Sequence, residues 1–255
     1  MLNKFLIVIV VISLSLNSLL ANGKESVLIY CGITMVNPIK EMANILEKEL
    51  DVKIYITQGG SNDLFNAIKT SNKGDIFIPG DSEYIKEYEK FGFYDNYIEY
   101  IGYNQAAIFV QKGNPMNVKG LDDFLRDDLY TMLCDYSTGS IGKMTKDILE
   151  SYKGKVFFED VYLNSVEVGT DSRNINSALR HKRVDLSINW KSTIIFENNK
   201  EFIDMVTIDE QYAPKMKIPA VLLKTSQNKI IAKQIIDFMA GIRGQSIMKK
   251  YGFID

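Results

Sequence analysis

Apolar positions along this chain fall into two rhythms. One is short and dense: Val27-Leu28-Ile29-Tyr30-Cys31, Ile76-Phe77-Ile78 and Ile218-Pro219-Ala220-Val221-Leu222-Leu223, with an alternating run at Val52-Lys53-Ile54-Tyr55-Ile56. Dense runs bounded by turn residues read as strands buried on both faces, and alternation marks a half-buried strand. The other rhythm is helical. Ile39, Met42, Ala43, Leu46 and Leu50 recur at helical spacing behind Pro38, which suits a first helical turn. Residues 64–69 read as a second helix, and Tyr84, Ile85, Tyr88 and Phe91 share one face of a third. Strand followed by helix, three times over, predicts a doubly wound α/β lobe.

The chain then runs extended over 104–110, stops at Lys112-Gly113-Asn114-Pro115, and the winding restarts. The pattern predicts strands over 130–134, 161–168 and 185–190, with helices through Met144, Ile148 and Leu149 and over 174–181. An extended run over 218–223 and two helices, 228–240 and 244–251, close the chain. The fold expected is α/β: two doubly wound lobes with a cleft between them. Residues 24–103 with 221–255 form the first lobe, 104–220 are inserted as the second, and strands near Tyr103 and Ala220 cross between them.

The N-terminus follows a different logic. Lys4 precedes an apolar stretch at 5–16, and Ala21-Asn22-Gly23 offers the small residues a signal peptidase reads. Residues 1–23 are therefore expected to be a secretory signal, with an uncleaved anchor as the alternative. The stretch is short against the about 20 apolar residues of a membrane span. Export directs attention to Cys31 and Cys134, the two cysteines. The reading favours two free, largely buried thiols over a bridge between the halves. A formal net charge of −2 offers no basic excess to neutralise phosphates, which argues against nucleic acid as a partner.

Catalytic chemistry is hard to find. The single histidine, His181, lies in the run Arg180-His181-Lys182-Arg183, most simply a solvated helix end. No HExxH, Walker loop or metal-ligand cluster occurs, so no catalytic residue, metal or cofactor is expected and an enzyme is disfavoured. Asp75 and Asp185 each open an apolar strand and read as structural hydrogen-bond acceptors.

What recurs is glycine or hydroxyl where a strand hands over to a helix: Thr34, Gly59-Gly60-Ser61, Gly80 with Ser82, Ser137 to Ser140, and Thr170 with Ser172. In open parallel sheets these junctions lie along one edge, where helix N-termini present unpaired N–H groups. One such loop is only a cap; five in two lobes predict a donor-lined cleft for an anion. Arg173 either reaches that anion or pairs with Asp171. Trp190 either donates its indole N–H to it or packs the cleft floor.

Leu28 to Thr34, Gly59-Gly60-Ser61-Asn62-Asp63-Leu64, Gly74-Asp75-Ile76-Phe77-Ile78-Pro79-Gly80-Asp81 and Lys249-Lys250-Tyr251-Gly252-Phe253 together resemble the periplasmic oxyanion-binding proteins of ABC transporters, the molybdate binders above all. The resemblance implies a periplasmic solute-binding clamshell, monomeric, serving a membrane permease. It implies a molybdate- or tungstate-like oxyanion held by Thr34, Gly60, Ser61 and Gly80 from one lobe and by Ser140, Ile141 and Ser172 from the other. Trp190 stands where that family carries a tyrosine whose hydroxyl donates to the anion. The chain also resembles relatives that hold phosphorylated or carboxylated metabolites, and a sensor or adhesin built on the same clamshell is the alternative role.

Overall fold

The computed structural model describes residues 24–253, so the expected signal segment lies outside the described residues. Three sheets organise the described residues. The first has the order β2-β1-β3-β10-β4, formed by β1 (Ser26–Gly32), β2 (Lys53–Gly59), β3 (Ile76–Ile78), β4 (Tyr94–Asn104) and β10 (Met216–Leu223). Strands β1, β2 and β3 are parallel, and β10 runs antiparallel to both β3 and β4. Pro219, which has no N–H for a ladder, sits in β10 where the register with β4 shifts.

Helices cover both faces of this sheet, and alternation along the strands decides which side each residue meets. Ile29, Cys31, Ile76 and Ile78 pack towards α1 (Val36–Glu49), α7 (Lys229–Ala240) and α8 (Ile242–Lys250). Tyr30 and Phe77 pack on the other face with α2 (Ser61–Ser71) and α3 (Glu83–Glu89), where Phe65 stacks on Tyr88 with ring centroids 3.9 Å apart.

The second lobe repeats the scheme. β5 (Ala106–Gln111) lies between β8 (Leu186–Trp190) and β9 (Ile203–Val206), antiparallel to both. β6 (Met132–Cys134) pairs in parallel with β7 (Glu167–Gly169), and a parallel bridge from Thr131 to Leu186 sets that pair beside β8. The helices are α4 (Ser140–Lys153), α5 (Lys155–Asn164) and α6 (Ser172–Arg180). One apolar core joins these elements, separate from the two that flank the first sheet. The architecture is the expected two-lobed α/β clamshell.

One element departs from expectation. Of the strand expected over 161–168, residues 161–164 belong instead to α5, and only Glu167–Gly169 is extended. Phe157, Phe158 and Val161 are buried against the second-lobe core while Leu163 points outward, a helical rather than alternating division. Gly154, at φ 87°, allows the sharp break between α4 and α5 that starts this helix.

Three structural readings hold. Cys31 and Cys134 are free and buried, and burial pushes the Cys134 thiol up to about 12 and raises Cys31 as well. Asp75 accepts from Leu28 N at 2.7 Å and Ser226 Oγ at 2.6 Å; Asp185 accepts from Tyr130 N at 2.8 Å. His181 is the C-cap of α6, as a residue of a helix end should be.

Candidate functional site

Four of the expected junctions are starts of helical segments, and the fold brings them together. A 3₁₀ turn, Ile33–Met35, leads from β1 into α1; α2 begins at Ser61, α4 at Ser140 and α6 at Ser172. Around their ends lies a cavity of about 20 Å³, lined by Gly32, Ile33, Thr34, Gly59, Gly60, Ser61 and Gly80 from the first lobe and Gly139, Ser140, Ile141, Asp171 and Ser172 from the second. That volume suits one compact group rather than a bulky metabolite.

The donors are prepared in two ways. Helices α2 and α4 have glycine N-caps, Gly60 and Gly139, with no side chain to occupy the first-turn N–H groups. Those groups have no partner within a helix, and they carry the positive end of its dipole. Each helix then places a serine at its first position. Ser61 Oγ accepts from Gly80 N at 2.9 Å, and Ser140 Oγ accepts from Trp190 Nε1 at 3.2 Å. A hydroxyl that already accepts an N–H keeps its own proton to donate, so both serines are set as O–H donors. Ser61 is therefore not the helix cap.

Helix α6 is different. Its cap, Asp171, accepts Arg173 N at 2.7 Å and Asn174 N at 3.4 Å, and its Oδ2 receives Arg173 Nη2 at 2.6 Å. Burial raises the Asp171 carboxyl, but the Arg173 side-chain bond, the two backbone N–H groups and the guanidinium charge outweigh it and hold it below the ordinary range. The carboxylate on the cavity wall is thus paired.

Of the candidates, Thr34, Gly60, Ser61, Gly80, Ser140, Ile141 and Ser172 are brought together on the wall of this cavity. Two candidates take other places. Trp190 is fully buried and gives its N–H to Ser140, orienting that donor instead of lining the cavity. Arg173 pairs with Asp171 and lines a neighbouring cavity. Gly32, Ile33, Gly59, Gly139 and Asp171 line the cavity without having been among the expected ligand-binding residues; the Gly139-Ser140 pair repeats Gly60-Ser61 and carried the signal.

The lobes meet over this cavity. An alanine-like Cβ at Gly60 would lie 2.6 Å from the Thr138 carbonyl oxygen, and one at Gly80 would lie 2.3 Å from Ser140 Oγ. Glycine is needed here for approach between lobes. Asn62 Nδ2 donates to Ser137 O at 2.8 Å, and Tyr88 donates its hydroxyl to Asn62 Oδ1. Lys143 and Glu87 form a further ion pair at 2.8 Å.

Beside this contact Asp81 is buried, with Oδ1 accepting Glu83 N at 2.9 Å. Burial pushes its carboxyl up to about 6, against the opposing pull of that N–H and of Lys143. The folded protein thus holds this proton more tightly than the unfolded chain. Its contribution to stability is fully present below the ordinary carboxylate value and is lost as pH rises through about 6. Asp81→Asn cannot ionise and keeps an acceptor. Urea unfolding from pH 4 to 8 should show the variant gaining on the parent by about 2–3 kcal/mol, the size of two pK units. Parallel pH profiles would refute this.

Comparisons with known proteins agree with the fold. The model of a family described as bacterial extracellular solute-binding protein matches residues 27–254. A Haemophilus influenzae chain described as a binding protein is 21% identical over 230 residues, 89% of each chain. The structure of L-phospholactate-bound PEB3, a Campylobacter jejuni protein, covers 90% of this chain and 99% of its own at 18% identity and a TM-score of 0.70. The Azotobacter vinelandii periplasmic molybdate-binding protein covers 89% and 99% at 14% identity and a TM-score of 0.72. Structures of thiamin- and sulfate-binding proteins share the fold too.

Proposed function

Since the chain belongs to the bacterial extracellular solute-binding protein family, we propose that it captures a small oxyanion between its lobes and delivers it to an ABC-transporter permease. It works in the periplasm as a monomer and without catalysis, its cargo a molybdate- or tungstate-like tetrahedral anion. One observation carries this reading: two glycine-capped helix N-termini from opposite lobes, each with a serine already accepting an N–H, face one small cavity. Neutral dipoles of this kind stabilise an anion without a salt bridge. Molybdate, sulfate and L-phospholactate, bound by structural neighbours, share a tetrahedral oxyanion group. Desolvating such an anion is costly, so donor count and cavity size set selectivity.

The test is a thermal-shift screen with molybdate, tungstate, sulfate and phosphate, repeated with phosphorylated hydroxy acids. At least one is expected to raise Tm, by an amount that keeps growing with the logarithm of its concentration. Ser61→Ala should weaken the best ligand by about 1–3 kcal/mol, the cost of leaving a buried acceptor unmatched. A flat screen with every oxyanion would sink the assignment.

A further inference from the structure

Asp81 stands where the two lobes close on each other. Gly80, the residue before it, lines the small cavity and lies against Ser140 at the start of α4. Asp81 itself is 3% exposed. It lines a separate cavity of about 340 Å³ with Glu83 of its own lobe, Lys143 and Asp147 on α4, and Tyr212 from the stretch between β9 and β10. Part of what covers this carboxylate therefore belongs to the other lobe.

The charges around Asp81 do not compensate for its burial. Lys143 is the cation on that cavity wall, and its ammonium is committed to Glu87 at 2.8 Å. Asp81 keeps the N–H groups of Glu83 and Tyr84. Glu83 and, from α4, Asp147 bring further negative charge to the same cavity. Tyr84 and Tyr88, which feel the Asp81 charge from α3, and Tyr212 are neutral neighbours.

A ligand in the small cavity is walled by both lobes, so it enters only when they part. Parting draws α4 away from Asp81 and lets water reach the carboxylate; closing strips that water again. Desolvation favours the protonated form of a carboxyl group. We propose that closure of the lobes takes up a proton at Asp81, so that acid favours the closed form and rising pH loosens the grip on the ligand. The sign follows from linkage. The closed state binds more protons, so its advantage is complete below the ordinary carboxylate range and is lost as pH rises through about 6. Gly80 lines the ligand cavity, so a proton on its neighbour also removes a negative charge from beside a bound anion. The part of this proton binding that the second lobe supplies shows in ligand affinity, and the rest shows in the stability of the fold. This adds a regulation to the cleft, and only its affinity measurement rests on the oxyanion reading.

Sulfate stays doubly charged from pH 5 to 8, so calorimetric titrations with it read the protein's own protons. Affinity at pH 5 is expected to be about 3- to 10-fold that at pH 8; tenfold is the most that a carboxyl raised from its ordinary range to about 6 supplies. Repeating the titration near pH 5.5 in buffers of different ionisation enthalpy should show proton uptake on binding. Asp81→Asn, which cannot ionise, should give a flat profile, whereas Asp147→Asn should keep the slope. A flat profile in the parent, or a slope that survives in Asp81→Asn, would overturn the proposal and leave the anion site standing. If neither sulfate nor molybdate binds, the oxyanion reading itself fails, and small-angle scattering of the ligand-free protein decides the proposal. Asp81→Asn should then have a smaller radius of gyration than the parent at pH 8, with the difference gone at pH 5. Equal radii at pH 8 would overturn it.

Discussion

Gly80→Ala is expected to cost the protein most of its ligand affinity while leaving the ligand-free fold stable. The new Cβ would lie 2.3 Å from Ser140 Oγ and 2.6 Å from Ser140 Cβ, and no rotamer moves a Cβ away. Gly80 is not among the glycines at positive φ, so alanine meets no backbone strain there. The clash arises only when the lobes meet. Overpacking at this scale costs about 1–3 kcal/mol, which is about 5- to 150-fold in affinity. Calorimetry gives the affinity and ligand-free thermal unfolding supplies the control. Wild-type affinity in Gly80→Ala would mean that the bound lobes do not approach as described.

The largest loss of stability is expected away from the cleft, at Asp75. Its carboxylate takes Leu28 N from β1 and Ser226 Oγ from the turn between β10 and α7, while its backbone N–H donates to Leu28 O at 2.9 Å. It thus ties the first strand to a segment near the end of the chain. Asp75→Ala leaves two donors with a lost charged acceptor, a cost of about 3–6 kcal/mol at about 1.5–3 each. Against a total of about 5–15 kcal/mol, that endangers the fold. Asp75→Asn keeps one acceptor oxygen and should lose about half as much. Urea unfolding of both variants decides it; an Asp75→Ala loss under about 1 kcal/mol would contradict the role.

The lobed α/β plan was legible because buried parallel strands leave dense apolar runs and the helices between them keep their spacing. Ile29 and Tyr30 part to opposite faces of one sheet for the same reason. The cleft was legible because small or hydroxylated residues recur at the helix starts that line the cavity, as at Gly60-Ser61 and Ser140. Residues 161–164 were misread because Val161, Tyr162 and Leu163 suit a strand locally, while packing of α5 into the second-lobe core decides otherwise. Trp190 and Arg173 were beyond reach for another reason. Both stand beside the cavity in sequence order, but only the chain's path shows that one supports Ser140 and the other binds Asp171.

Trp190 is the only tryptophan in the chain, is shut off from solvent, and touches Ser140 on the cavity wall. Whatever occupies the cleft is therefore one hydrogen-bonded side chain from the sole indole fluorophore. The protein carries its own optical reporter, placed at the junction of the lobes, and its emission can follow ligand entry without any attached dye.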